Sequence, residues 1–273
     1  MTLLVRPHAP DADGVVVEVT PESAAWRYVG FRIVRLAAGQ SYRATEDGRE
    51  ACLVILSGSV SVTAGDARFE ALGARANVFE GLPTSVYLPA SLAYAVSADT
   101  NAELAICTAP GSGCGAPRVI RPGDVGEELR GTGSNTRHVR NILDDKADAE
   151  SLLVVEVVTP GGNWSSYPPH KHDVDDYPRE TLLEETYYHR LSPPQGFAFQ
   201  RVYTDDRTID ETMAVGDGDV VMVPRGYHPV AAAHGYDLYY LNVMAGPRRD
   251  WVFVNDPAHD WIVRQPQPIG DIK

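Results

Sequence analysis

Apolar and β-branched residues recur along the chain in short runs broken by glycine, proline and aspartate, and helical spacing is nearly absent. Val15-Val16-Val17-Glu18-Val19, Tyr28 to Leu36, Ala51 to Leu56 and Ser59 to Val62 read as strands of this kind. Many short strands joined by turn residues predict an all-β sandwich or barrel, in which sheet edges are closed or covered.

The pattern repeats. Glu50 precedes an apolar strand ending at Gly58, and Val78 to Pro83 leads into Ser85-Val86-Tyr87-Leu88-Pro89. Glu185 likewise precedes a strand and turn, and Val220-Val221-Met222-Val223-Pro224 echoes Val86 to Pro89. Between the halves, Ala109-Pro110-Gly111-Ser112-Gly113-Cys114-Gly115-Ala116-Pro117 has the composition of a linker or exposed crossover. Two related barrels are expected, over residues 1–110 and 111–273.

Their chemistry differs. In Tyr167-Pro168-Pro169-His170-Lys171-His172-Asp173, alternate residues of a strand present both imidazoles to one centre while Lys171 points away. Neutral imidazole suits divalent transition metals, and a carboxylate from Glu184-Glu185 would add charge and widen the choice to Mn. A third imidazole, His228, follows a glycine turn, an apolar strand and Pro224-Arg225-Gly226. The first half has only His8 before the linker, so neither Glu50 nor Pro89 has an imidazole companion, and Tyr94 stands roughly where the late histidine is expected. That barrel is expected to be structural, an interface or a pocket wall.

The formal charge of -13, from 24 Lys+Arg against 37 Asp+Glu, argues against nucleic acid as a partner. The three cysteines, Cys52, Cys107 and Cys114, show no zinc or redox spacing and read as free thiols of a reducing cytoplasm. No apolar run suits a membrane span, and the first residues lack a signal-peptide core. A cytoplasmic protein, associating through sheet edges into a homo-oligomer, is expected.

Asn163 to Asp173, Leu183 to Arg190, Gly196 to Tyr203, Pro224 to Val230 and Gly235 to Gly246 together resemble the 5-deoxy-glucuronate isomerases of myo-inositol catabolism, a bicupin family. The resemblance is dense from about Gly161 to Trp261 and looser before the linker. It implies two tandem cupin (double-stranded β-helix, jelly-roll) barrels. It departs from the general cupin pattern in that one residue, not two, separates Gly226 from His228, and no asparagine follows near Ala232. Counted back from Ser192 in that pattern, the carboxylate ligand is Glu185, with Glu184 facing the other side.

The implied metal set is His170, His172, Glu185 and His228, holding one divalent cation per chain, with Zn, Mn, Fe, Ni and Co all compatible. Tyr187 and His189 share the inward phase of Glu185 and are candidates for proton handling or for hydrogen bonding behind the ligands. Arg201, Gln200 and Tyr203 are candidates for holding a uronate: Arg201 could clamp its carboxylate from the face it shares with Tyr203, or Gln200 could be the inward residue. Arg225 and the pair Arg248-Arg249 read as solvated. The implied reaction is metal-assisted aldose–ketose isomerisation of 5-deoxy-D-glucuronate to 5-dehydro-2-deoxy-D-gluconate. A non-catalytic sugar- or metal-binding cupin and an Fe(II) cupin dioxygenase are the alternatives.

Overall fold

The computed structural model describes residues 2–264. Strands dominate: the one α-helix among the described residues is a single turn, Pro21–Ala24, and the remaining helical segments are short 3-10 turns. No helix among the described residues is long and apolar enough to cross a membrane.

Each half pairs a large sheet with a four-stranded one, and the architecture is that of two tandem cupin barrels. In the first half the six-stranded sheet runs in the order Arg118–Ile120, Thr84–Leu88, Arg49–Ser57, Ala102–Pro110, Gly30–Leu36, Val15–Val19. Its four-stranded partner runs Ser41–Thr45, Ala93–Ala98, Val60–Ala64, Ala67–Leu72. In the second half the seven-stranded sheet runs Leu4–Val5, Val220–Val223, Glu184–Ser192, Asp237–Ala245, Leu153–Thr159, Arg137–Leu143, Gly126–Arg130. Its partner runs Trp164–Ser165, Val230–Ala232, Ala198–Tyr203, Asp210–Val215. Two short strands lie in the other half's sheet: Leu4–Val5 pairs with Val220 and Val221, and Arg118–Ile120 pairs with Ser85 to Tyr87.

Side-chain alternation divides the apolar residues among three cores. Leu53 and Ile55 point into the first barrel, whereas Cys52, Val54 and Leu56 point out of it. Tyr187, Val221 and Val223 line the second barrel, whereas Tyr188, Val220 and Met222 meet Cys52 and Val54 in the core between the two large sheets. Those sheets are buried on both faces, which explains why their central strands read as continuous apolar runs.

Register fixes how the repeat superposes. Ala51 pairs with Leu88, the residue before Pro89, and Glu185 pairs with Val223, the residue before Pro224. The counterpart of Glu185 is therefore Ala51, and Glu50 corresponds to Glu184 instead. Glu50 and Glu184 perform the same task in opposite directions. The buried Glu50 carboxylate accepts the backbone N–H groups of Glu150, Ser151 and Leu152 at 2.9, 2.6 and 2.6 Å. Glu184 accepts those of Arg27, Tyr28 and Val29 at 2.7, 2.7 and 3.1 Å. Each half thus holds a turn of the other through charge-assisted bonds. A buried pair spans the same interface: Arg75 donates to both oxygens of Glu156 at 3.0 Å, and Glu156 also accepts from Arg140 and the Tyr239 hydroxyl at 2.9 Å.

Candidate metal centre and substrate cavity

Three elements bring the histidines together. His170 lies on the two-residue strand His170–Lys171, paired with Val254–Asn255, and His172 follows with its side chain turned to the same centre. His228 follows the turn at Gly226. There φ is +94°, and a Cβ would stand 2.5 Å from the Tyr203 carbonyl oxygen, so only glycine fits. The Gly226 N–H donates to Asp173 Oδ2 at 3.0 Å, tying the His228 turn to the His-Lys-His segment. All three imidazoles are buried, with ligand atoms within 4.8 Å of one another.

Hydrogen bonding fixes the protonation. His172 Nδ1 donates to the Leu183 carbonyl at 3.0 Å and His228 Nδ1 to the Gly226 carbonyl at 2.8 Å. A carbonyl only accepts, so in the neutral rings both Nε2 atoms are bare lone pairs. Both face Glu185 Oε2 at 3.2 Å, acceptor against acceptor, and buried His228 Nε2 has no hydrogen-bond partner among the described residues. Something positive must lie between them: a proton on His172 answers for one nitrogen, and the unpartnered His228 Nε2 is left facing the carboxylate for a cation to fill. Donors sharing a cation at about 2.1 Å stand roughly 3 Å apart, so the residues fit a divalent metal.

The electrostatics of the centre follow from burial. Burial, with His228 and His172 close by, holds His170 well below the ordinary imidazole range. Burial likewise takes His228 down to about 4. His172 moves the other way: burial depresses it, but the hydrogen bond and charge of Glu185 outweigh that and raise it. Two of the three rings therefore stay neutral and ligand-competent at neutral pH.

Beside His170 opens a cavity of about 430 Å³, within the usual range for a small-molecule site. Its walls include Arg137, Tyr187, Tyr240, Asn242 and Trp251. Tyr187 Oη pairs with Ser166 Oγ at 2.8 Å and Tyr240 Oη with Ser165 Oγ, so consecutive serines serve two buried phenols. Ser166 adopts φ +49°, uncommon for a non-glycine residue.

A family model described as KduI/IolB matches residues 3–262. The chain belongs to the KduI/IolB family. A 5-deoxy-glucuronate isomerase from Geobacillus kaustophilus is 56% identical over 262 residues, covering 96% of this chain and 95% of that one. The crystal structure of an IolB-like protein from Salmonella typhimurium is 52% identical and superposes with a TM-score of 0.93, covering 96% of this chain and all of that one. At 15% identity, the oxalate decarboxylase of Lactobacillus farciminis shares the fold, with a TM-score of 0.68 and coverage of 97% and 91%.

Within this KduI/IolB chain the other sequence-derived candidates fall in different places. Tyr187 lines the cavity, with its ring 5.7 Å from that of His228. Burial and the charge of Glu185 hold its phenol well above the ordinary range. His189 lies sealed behind it, stacked on Tyr187, with Nε2 2.9 Å from Gln200 Oε1 and Nδ1 buried without a partner among the described residues. Gln200 is occupied by that contact and is fully buried. Arg201 faces outward: it is ion-paired to Asp210 through two 2.8 Å bonds, because Gln200 takes the inward phase of the strand. Tyr203 Oη donates to Asp256 at 2.7 Å. The structure does not bring Arg201, Gln200 or Tyr203 to the cavity beside His170. The sequence reading missed Arg137. Its one signal is a charged residue two positions before Val139, which lies in the second barrel's interior core.

Proposed function

We propose that this KduI/IolB protein is an isomerase that converts 5-deoxy-D-glucuronate to its ketose, 5-dehydro-2-deoxy-D-gluconate, with one divalent cation per chain held by His170, His172, Glu185 and His228. The observation that carries the metal is the convergence of three buried imidazoles with the unpartnered His228 Nε2 set against the buried Glu185 carboxylate. The family relatives named as 5-deoxy-glucuronate isomerases support the substrate. When bound, a divalent cation supplies Lewis-acid polarisation of a carbonyl and its neighbouring hydroxyl, and the donor set suits Zn, Mn, Fe, Ni or Co.

The chain's own residues do the rest. Gly226 and Leu183 carbonyls fix the tautomers of His228 and His172, so both Nε2 atoms are aimed before any ligand arrives. Tyr187, kept neutral by burial, offers its hydroxyl proton to a substrate oxygen at the His228 side, and Ser166 Oγ is placed to replace that proton. The aromatic wall of Trp251 and Phe253 limits water at the cavity.

The test is turnover of 5-deoxy-glucuronate by the metal-loaded protein in heavy water under anaerobic conditions, followed by NMR. Conversion to the ketose without oxygen, with deuterium at the carbon that receives the proton, is expected. Tyr187→Phe should lower kcat by about a hundredfold or more while retaining metal. A strict oxygen requirement would replace the isomerase with an oxygenase.

A further inference from the structure

A uronate carries its carboxylate at the end of the carbon chain away from the reacting carbonyl, so a site that handles one end must also hold the other. We propose that Arg137 binds the substrate carboxylate and, with Asn242 and Trp251, sets which end of the sugar acid faces the histidines. The inference rests on the isomerase reading for the identity of the acid, but not for the recognition of a carboxylate.

Two independent observations carry it. The first is the state of the guanidinium. Arg137 is largely buried and lines the same cavity as His170, yet its Nη1 donates only to the backbone carbonyls of Asn135 at 3.0 Å and Tyr167 at 3.5 Å. Among the described residues it has no ion-pair partner, although most other arginines of the interior do, Arg75 and Arg190 among them. Burial pushes Arg137 below its usual range, as expected of a desolvated cation lacking a counter-charge. Arg130, the other guanidinium of the cavity wall, is engaged with Glu128 at 2.8 Å and is not free in this way.

The second observation is the polarity of the orphaned groups. Asn242 Nδ2, on a residue only 4% exposed, reaches no partner among the described residues beyond the Tyr187 hydroxyl, and Trp251 Nε1 is buried without a hydrogen-bond partner among them; both residues line this cavity. Both are donors. Leaving a buried donor short of acceptors is costly, so a wall with two such donors beside an uncompensated cation is built for a ligand that only accepts. A carboxylate is such a ligand, and Arg binds it through two parallel bonds that fix its plane. Asn242 sits beside the Tyr187 hydroxyl, linking this wall to the proton-handling side.

The experiment measures kcat/KM of the metal-loaded full chain for 5-deoxy-glucuronate and for the neutral aldose bearing a terminal hydroxymethyl group instead of the carboxylate. Arg137→Met should lower kcat/KM for the acid on the order of a hundredfold, chiefly through KM, and change the neutral aldose by less than about threefold. Arg137→Lys should recover part of the loss, since it restores the charge without the fork. Equal losses on acid and neutral substrate, or no loss on the acid, would overturn the proposal. Calorimetric binding of D-glucuronate against D-glucose reads the same preference without turnover. A preference for the acid that Arg137→Met abolishes supports the assignment, and one that persists, or is absent from the wild type, refutes it. Failure of the wild type to isomerise 5-deoxy-glucuronate would sink the isomerase reading alone.

Discussion

Replacing Glu50 by glutamine removes a charge and one acceptor from a fully buried position while changing almost no volume. In the wild type, Oε1 accepts the N–H groups of Ser151 and Leu152, and Oε2 accepts the N–H of Glu150 and the hydroxyl of Tyr87 at 2.6 Å. Glutamine satisfies Ser151 and Leu152 through its carbonyl, and Tyr87 can rotate its hydroxyl to accept from the new amide. The Glu150 N–H then faces an NH2 group and loses its acceptor, at a cost of about 1–3 kcal/mol, and the two bonds that remain fall from charge-assisted to neutral strength, about 1 kcal/mol each. Cheaper desolvation of the uncharged side chain offsets part of this, leaving a net loss of about 3 kcal/mol. That corresponds to a fall in Tm of roughly 6–12 °C for a chain of this size class. Urea denaturation and calorimetry measure the loss, and elemental analysis should find metal content unchanged, because Ala51, not Glu50, stands at the Glu185 position. Glu184→Gln should behave the same way, whereas Glu185→Gln, one residue along, should weaken metal retention. A loss below about 1 kcal/mol in Glu50→Gln, or a loss of metal, would refute the reciprocal-clasp account.

His228→Ala should purify with little or no metal and with the barrel intact by circular dichroism; metal retained at wild-type stoichiometry would remove His228 from the ligand set. The pH dependence of metal-free stability should carry a contribution from His189, whose buried imidazole is depressed to about 4 by burial, with the Gln200 contact opposing. The unfolded chain takes up this proton near about 6.5 and the folded chain does not, so the stabilisation is complete above that pH and is lost as pH falls from about 6.5 to about 4. His189→Gln should flatten this acid limb in urea titrations between those pH values, and an unchanged slope would show that His189 does not titrate in this way.

Much of this architecture is legible in the sequence because alternation and turn chemistry are strong signals over five or more residues. Val15–Val19 appears with the expected bounds, and the other three strands read from pattern are present with no end moved by more than two residues. The exchanged strands Leu4–Val5 and Arg118–Ile120 were not legible, since two or three residues carry no period and their pairing is decided by an edge far along the chain. The proposed ligands His170, His172, Glu185 and His228 could be picked out because a metal demands particular residue types at particular spacings. Arg137 could not, because a carboxylate needs only a donor on any wall of the cavity. The choice between Gln200 and Arg201 turned on one residue of strand phase. Alternation says that neighbours diverge and leaves open which of them faces in.

The repeat also explains why the histidine cluster found among the described residues lies in the second barrel. Val155, opposite Asn242, occupies in the second barrel the position that Arg32, opposite Ile106, occupies in the first. Arg32 donates to the Tyr42 hydroxyl at 2.8 Å and to Glu46 at 2.9 Å, and Tyr94 donates to Glu46 at 3.0 Å, closing a network against the first barrel's core. Burial works against the guanidinium charge, but Glu46 and Tyr42 more than compensate, so it stays protonated. A permanent cation therefore stands in the frame where the second barrel has a neutral valine. The carboxylate that could have balanced a metal is committed to that cation, and the position matching the proposed ligand Glu185 is the methyl group of Ala51. Changing Ala51 to glutamate would supply a ligand without removing the competing charge. A first-barrel metal site would require Arg32 to be neutralised together with the addition of imidazoles, and the proposed stoichiometry of one metal per chain rests on that electrostatic exclusion as much as on the missing histidines.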